Sequence, residues 1–204
     1  MSMSLLPVAV ELGVFLSVHG ALAEHMRRDR IAGVPRFRLF RFFTILSNLL
    51  AAWCCLSSVI LRYAAPAVWS SRWFFLLRFS ATAAVTMTMI TVFVFLGPVA
   101  GYKPMLGGPN FFLHFFCPVL TVAALLLSGG GSLSRGDALW GALPAAVYGT
   151  VYLYQVVFAP KERGWPDFYH FNIGGRWYLA YPVVVGFSYL LSLGLTVLFA
   201  LVNP

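Results

Sequence analysis

Six apolar stretches follow one another along the chain, separated by short polar breaks. A hydrocarbon core of about 30 Å needs roughly 20 apolar residues per helix. Residues 5–26, 39–61, 73–97, 110–128, 138–159 and 178–202 meet that length. An open strand cannot satisfy its backbone in lipid, and barrel strands are shorter and alternate in polarity. The pattern therefore predicts an all-α, polytopic integral membrane protein: one domain over residues 1–204, built as a bundle of six transmembrane helices.

The breaks carry turn and helix-stop residues. Arg27-Arg28-Asp29-Arg30 precedes Gly33 and Pro35, and Pro66 lies in the second break. Gly97-Pro98 and Gly107-Gly108-Pro109 bracket the third, Gly129-Gly130-Gly131 opens the fourth, and residues 160–175 form the longest. Glycine and proline at these positions end helices and set turns. No internal repeat is visible, so the sequence does not support a transporter of inverted repeats.

Composition strengthens this reading. Sixty per cent of the 204 residues are apolar or aromatic and 10% are charged, against about half and a quarter in soluble chains. A soluble globule of this size could not hide so much apolar surface. That excludes a soluble enzyme, a disordered chain and a disulfide scaffold. The net charge of +8 would ordinarily suggest nucleic acid. Here the basic residues sit between apolar runs, so they read as loop charge at a membrane face, and no nucleic-acid partner is expected. Cys54, Cys55 and Cys117 lie inside apolar runs. The first run lacks a basic stretch before it and exceeds a leader's apolar length, so no cleavable signal peptide is expected.

Lysine and arginine concentrate on cytoplasmic loops. The first, third and fifth breaks hold Arg27, Arg28, Arg30, Arg36, Arg38, Lys103, Lys161, Arg163 and Arg176, whereas the second and fourth hold Arg62, Arg72 and Arg135. Nine against three predicts odd loops in the cytoplasm and both termini outside.

Ionisable groups within membrane helices are costly and usually face a bundle interior. Glu11, His19, Arg41, Arg78 and His114 are the candidates. Arg41 and Arg78 lie near helix ends and could snorkel to the interface. Glu11 could instead pair with Arg78 as a structural salt bridge.

In the second run, Thr44, Ser47 and Asn48 share a helix face, with Arg41 one turn before. Such a patch is either interhelical glue or a hydroxyl nucleophile with an amide to hold a developing oxyanion. In the fourth run, His114 stands among phenylalanines, with Cys117 on the same side and Pro118 freeing the His114 carbonyl. It reads as a satisfied core histidine beside a buried thiol, or as an imidazole placed to accept a proton. Arg78, Thr82 and Thr86 repeat every four residues, with Thr88 and Thr91 beyond them, a series that helix packing explains. Tyr148, Tyr152 and Gln155 form one polar-tipped face that could orient His114 or a lipid ester. In the loop that follows, the aromatics fit an interfacial belt, and Asp167 and His170 could be surface groups or the rim of an entrance.

No metal or other cofactor is expected. The four histidines, His19, His25, His114 and His170, are scattered, without the convergent spacing zinc requires. There is no phosphate-binding glycine loop, GxSxG elbow or SxxK pair.

Phe43-Thr44-Ile45-Leu46-Ser47-Asn48 resembles the FT-x-x-SN signature that opens the second helix in bacterial relatives of the androgen-induced protein family, which includes the androgen-dependent TFPI-regulating protein. His114 with Pro118 resembles that family's H-x-x-x-P element in the fourth helix. Tyr148, Tyr152 and Gly164-Trp165 resemble its fifth helix and the loop beyond. The resemblance implies a six-helix membrane hydrolase of fatty acid esters of hydroxy fatty acids, without metal, in a bacterial cell membrane. It implies Thr44 as nucleophile and His114 as base. Ser47, Asn48, Tyr148 and Tyr152 are supporting candidates beside them. The chain departs from the pattern at Asn172, where an acid is expected, and in its Gly164-Trp165-Pro166-Asp167 sequence. A distant branch implies acyl transfer through Cys117 and His114.

Three functions therefore stand beside one another. The first is a lipid ester hydrolase whose partners are membrane lipids and a lipid ester. The second is a transporter or proton relay through Glu11, His19, Arg78 and His114. The third is a scaffold without catalysis.

Overall fold

The computed structural model describes residues 5–129 and 131–204, and all their side chains except those of Arg36 and Phe37. Residues 1–4 and Gly130, which the sequence places in the fourth break, lie outside the described residues, as does the side chain of Arg36 counted among the loop charges.

Six helices are long and apolar enough to cross a membrane. They are α1 (Leu5–Ile31), α2 (Phe43–Ala64), α3 (Arg72–Ala100), α4 (Pro109–Ser128), α5 (Arg135–Phe158) and α6 (Trp177–Val202). The chain is thus an all-α, multi-pass membrane protein, as the apolar runs predict. Helix α3 is the centre of the bundle, packing on α2, α4, α5 and α6, while α1 closes against α2 and α4. Its inner stretch from Phe74 to Thr88 is buried apart from Leu77. Small residues here, Ser80 through Ala84, allow neighbouring backbones to approach closely. The approach is close at Gly141 on α5, where an added Cβ would lie 2.3 Å from Ser192 Oγ and 3.1 Å from Ala83 Cβ.

Two boundaries differ most from the apolar runs. Helix α1 extends to Ile31 because Glu24 accepts bonds from Arg27 and Arg28 three and four residues on, which carries the polar end as helix. Helix α2 begins at Phe43 rather than at 39. Residues Arg36–Arg41 form a 3₁₀ turn, and Phe42 is extended (φ −95°, ψ 131°), breaking the two segments apart.

Among the described residues, three helices contain a π-turn, at Val92–Leu96, Phe112–Phe116 and Tyr154–Phe158. Each ends two residues before a proline: Pro98, Pro118 and Pro160. Proline has no N–H and its ring crowds the carbonyl four residues back. The residue before each proline instead donates five residues back, from Gly97 to Val92, Cys117 to Phe112 and Ala159 to Tyr154. All three turns lie at the end of the bundle that carries the odd loops.

At the opposite end, Glu11 is fully buried and accepts from Ser58 Oγ (2.7 Å), Ser128 Oγ (3.2 Å), Arg62 (3.2 Å) and Arg78 (3.3 Å). Arg78 therefore makes the salt bridge considered above and does not snorkel; it is buried. Arg62, between spans in the sequence, belongs to the same cluster and stacks over Trp69.

Candidate functional site

The odd-loop end contains a cavity of about 320 Å³. Met87, Val92, Phe95, Val183 and Phe187 form most of its apolar wall, and Thr44, Thr88, Thr91, Tyr148, Tyr169 and His170 supply the polar groups. Five elements meet here: the start of α2, the end of α3, α5, the loop that follows it and the first half of α6.

That loop is organised by one carboxylate. Asp167 Oδ1 accepts from the Phe171 N–H (2.8 Å) and from the Tyr152 hydroxyl (3.0 Å), and Oδ2 accepts from the Asn172 N–H (2.8 Å). Tyr152 is fully buried, and its hydroxyl also accepts the Tyr169 N–H at 2.9 Å. Rings of Phe168, Tyr169 and Phe171 pack around it, with centroids 4.9–5.2 Å away. The turn leaves His170 at φ 56°, the one non-glycine with positive φ among the described residues. Asn172, in the place where an acid is expected, has its backbone held by Asp167 instead.

The clamp carries Tyr169 to the start of α2. Phe42, the N-cap residue, does not cap this helix with its side chain. The Tyr169 hydroxyl does so from across the bundle, accepting the Phe43 N–H at 3.1 Å and lying against the hydroxyls of Thr44 and Tyr148. Burial pushes the Tyr169 phenol up to about 12. The Tyr148 hydroxyl donates to the Arg41 carbonyl at 2.6 Å. Thr44 is thus a half-buried hydroxyl at a helix N-terminus, on the wall of an apolar cavity.

The other sequence candidates are placed as follows. Ser47 is buried, donates to the Thr44 carbonyl (3.2 Å) and meets Thr88 Oγ1 (3.0 Å). Asn48 Nδ2 donates to the carbonyls of Thr44 (2.8 Å) and Leu113 (3.0 Å), so both its N–H groups are engaged. The face of Tyr148, Tyr152 and Gln155 turns toward the start of α2 and the aromatic loop. Neither tyrosine bonds to His114, because both hydroxyls are taken by Arg41 and Asp167.

His114 is buried in the π-turn of α4, and its Nδ1 bonds to the Met105 carbonyl. A carbonyl only accepts, so Nδ1 is the donor in this bond. His114 does not line the cavity, and among the described residues no hydrogen bond joins it to Thr44. Helix α4 and the start of α2 do meet, through Asn48. Cys117 is fully buried against Val14, Val18 and Leu113, away from the cavity wall. His19 donates to the Phe15 carbonyl (2.8 Å) and packs on Trp53, remote from the Glu11 cluster in the hydrogen-bond pattern. Among the described residues, no three His, Cys, Asp or Glu side chains converge to hold a metal.

Sequence reasoning passed over Tyr169, reading it as interfacial. The available signal was its position two residues after Asp167, in a loop with no other carboxylate beyond Glu162. The chain matches no family model, no curated protein and no solved structure.

Proposed function

We propose that the protein is a membrane-embedded hydrolase of lipid esters that works by acyl transfer through Thr44. One observation carries this reading: the Thr44 hydroxyl stands at a helix N-terminus on the wall of a largely apolar cavity, against the Tyr169 hydroxyl, with His170 on the wall of the same cavity. The cavity suits an acyl chain. The few polar groups gathered beside Thr44 suit an ester carbonyl, as in ligand sites where sparse polar groups orient an apolar molecule.

The chemistry balances with water alone. Thr44 Oγ1 attacks the ester carbonyl carbon, and its proton passes to an imidazole. The bond to the alcohol oxygen breaks, and that proton leaves with the alcohol. Water then adds to the acyl carbon, gives a proton to the imidazole, and the carboxylic acid departs as the proton returns to Thr44. A threonine hydroxyl is a weak nucleophile without such a base. The Tyr169 hydroxyl and the positive end of the α2 dipole lie beside Thr44, which supports stabilisation of an oxyanion there.

The test is ester turnover by purified protein in detergent, with a fluorogenic medium-chain ester and a hydroxy-fatty-acid ester. Wild type turns over and is labelled by a fluorophosphonate. Folded Thr44→Ala does neither. Turnover that survives in folded Thr44→Ala would sink the nucleophile assignment. Loss on Cys117→Ala alone would favour acyl transfer through the thiol.

The proposed location is a cell membrane, with odd loops in the cytoplasm and the C-terminus outside, on the charge count alone. Asn203→Cys should then react with an impermeant maleimide on intact cells. Reaction only after permeabilisation would invert the topology.

A further inference from the structure

We infer that His170 is a catalytic residue: the imidazole that takes the Thr44 proton, returns it to the leaving alcohol and then activates water. The inference rests on the hydrolase reading and identifies its base.

Three independent observations meet at this residue. His170 and Thr44 line the same cavity, which His114 does not. His170 is also exposed, so water reaches this residue of the cavity wall.

Its backbone is the second observation. At φ 56° the residue is held in the left-handed region, and such a backbone persists only where surroundings over-determine it. Glycine would sit there more easily. The surroundings do over-determine it. Asp167 fixes Phe171 and Asn172 on one side, and Tyr152 fixes Tyr169 on the other.

Register is the third. Tyr169, the residue before His170, is pinned by its hydroxyl to the Phe43 N–H and lies against the Thr44 side chain. The clamp therefore fixes the loop beside the nucleophile's own helix turn. Between Asp167 and Phe171, the imidazole is the one side chain without a hydrogen bond or ring contact among the described residues.

The reaction steps are those given above, with His170 as the proton carrier. The Oγ1–H bond breaks as the Oγ1–carbon bond forms, and the imidazole nitrogen takes that proton. It passes to the alcohol oxygen as the ester bond breaks. Water replaces the alcohol in the second half.

The experiment compares wild type, Thr44→Ala, His170→Asn and His170→Gly in detergent, with a fluorogenic medium-chain ester. Asparagine tolerates positive φ and keeps the loop. His170→Asn should lower kcat by about 10²–10⁴-fold, the usual share of a general base, with KM little changed. Fluorophosphonate labelling of Thr44 should slow in parallel. His170→Gly should regain part of its turnover when free imidazole is added, and Thr44→Ala should not. If wild type is active and Thr44→Ala is dead while folded His170→Asn keeps wild-type kcat, the inference fails and the hydrolase reading survives. If folded wild type neither turns over nor labels, the hydrolase reading falls, and this one with it.

Discussion

Asn48 donates to the carbonyl of Leu113 at 3.0 Å, and that bond ties the helix of Thr44 to the helix of His114. The same amide donates to the Thr44 carbonyl at 2.8 Å. With both N–H groups on carbonyls, Asn48 has no donor left for a substrate oxyanion. Asn48→Ala should therefore show its loss in stability. Leaving the Leu113 carbonyl unpaired inside the bundle costs about 1–3 kcal/mol, read as a lower thermal midpoint in detergent. A fall in kcat at unchanged midpoint would instead return Asn48 to the reaction.

Tyr152→Phe removes one hydroxyl that serves two partners. Asp167 Oδ1 loses a donor and the Tyr169 N–H loses its acceptor. About 1–3 kcal/mol of local order should go with them. The loop holds Lys161, Arg163 and Arg176, so limited trypsin digestion reports its release. Tyr152→Phe and Asp167→Asn should both be cut faster than wild type and lose ester turnover together. Faster cutting with intact turnover would mean that the clamp does not position the site.

These residues also show what the sequence could and could not convey. Six spans were legible because lipid demands long apolar runs. The Glu11–Arg78 pair was legible because buried charge needs a partner. Thr44 stood out through its patch with Ser47 and Asn48, although two of those three prove to be bonded into the bundle. The true start of α2 was not legible, because its capping hydroxyl comes from Tyr169, 126 residues away. Nor was the loop: its shape depends on Asp167 collecting backbone N–H groups that no local pattern announces. The prolines were visible, yet a proline alone does not distinguish a kink from the π-turns found before Pro98, Pro118 and Pro160.

Glu11→Ala should be among the most destabilising single changes in the molecule. It leaves Arg62 and Arg78 without their carboxylate and Ser58 and Ser128 without their acceptor. Removing one partner of a buried pair costs about 3–5 kcal/mol. The cluster lies at the opposite end from the cavity, so ester turnover per folded molecule should hold. Size-exclusion yield and thermal midpoint measure the first effect and turnover the second. Normal stability in Glu11→Ala would show that the arginines are solvated, contrary to their burial.

Gly141→Leu tests the packing around α3. A Cβ alone would meet Ser192 Oγ at 2.3 Å and Ala83 Cβ at 3.1 Å, so α3, α5 and α6 must separate to admit more. Overpacking of this kind costs about 1–3 kcal/mol, and the thermal midpoint should fall. Gly194→Leu, where an added Cβ has open space, is the control. Equal behaviour of the two variants would disprove the close approach.

Tyr169 gives the site an alkaline limit. Its phenol is pushed up to about 12, from an ordinary value near 10, so the fold favours the neutral hydroxyl. The sign follows from linkage. Below about pH 10 the hydroxyl is protonated in folded and unfolded chains alike, and its contribution is fully present. Between about pH 10 and 12 the unfolded chain releases the proton first, and stability declines. Above that the phenolate forms beside Thr44 and Tyr148, and an acceptor-only oxygen can no longer donate to either hydroxyl. Wild type should therefore lose thermal midpoint across this window more steeply than Tyr169→Phe. Near-ultraviolet titration should show a late phenolate step that the variant lacks. Matching alkaline profiles in the two proteins would place the Tyr169 hydroxyl in water rather than against Thr44.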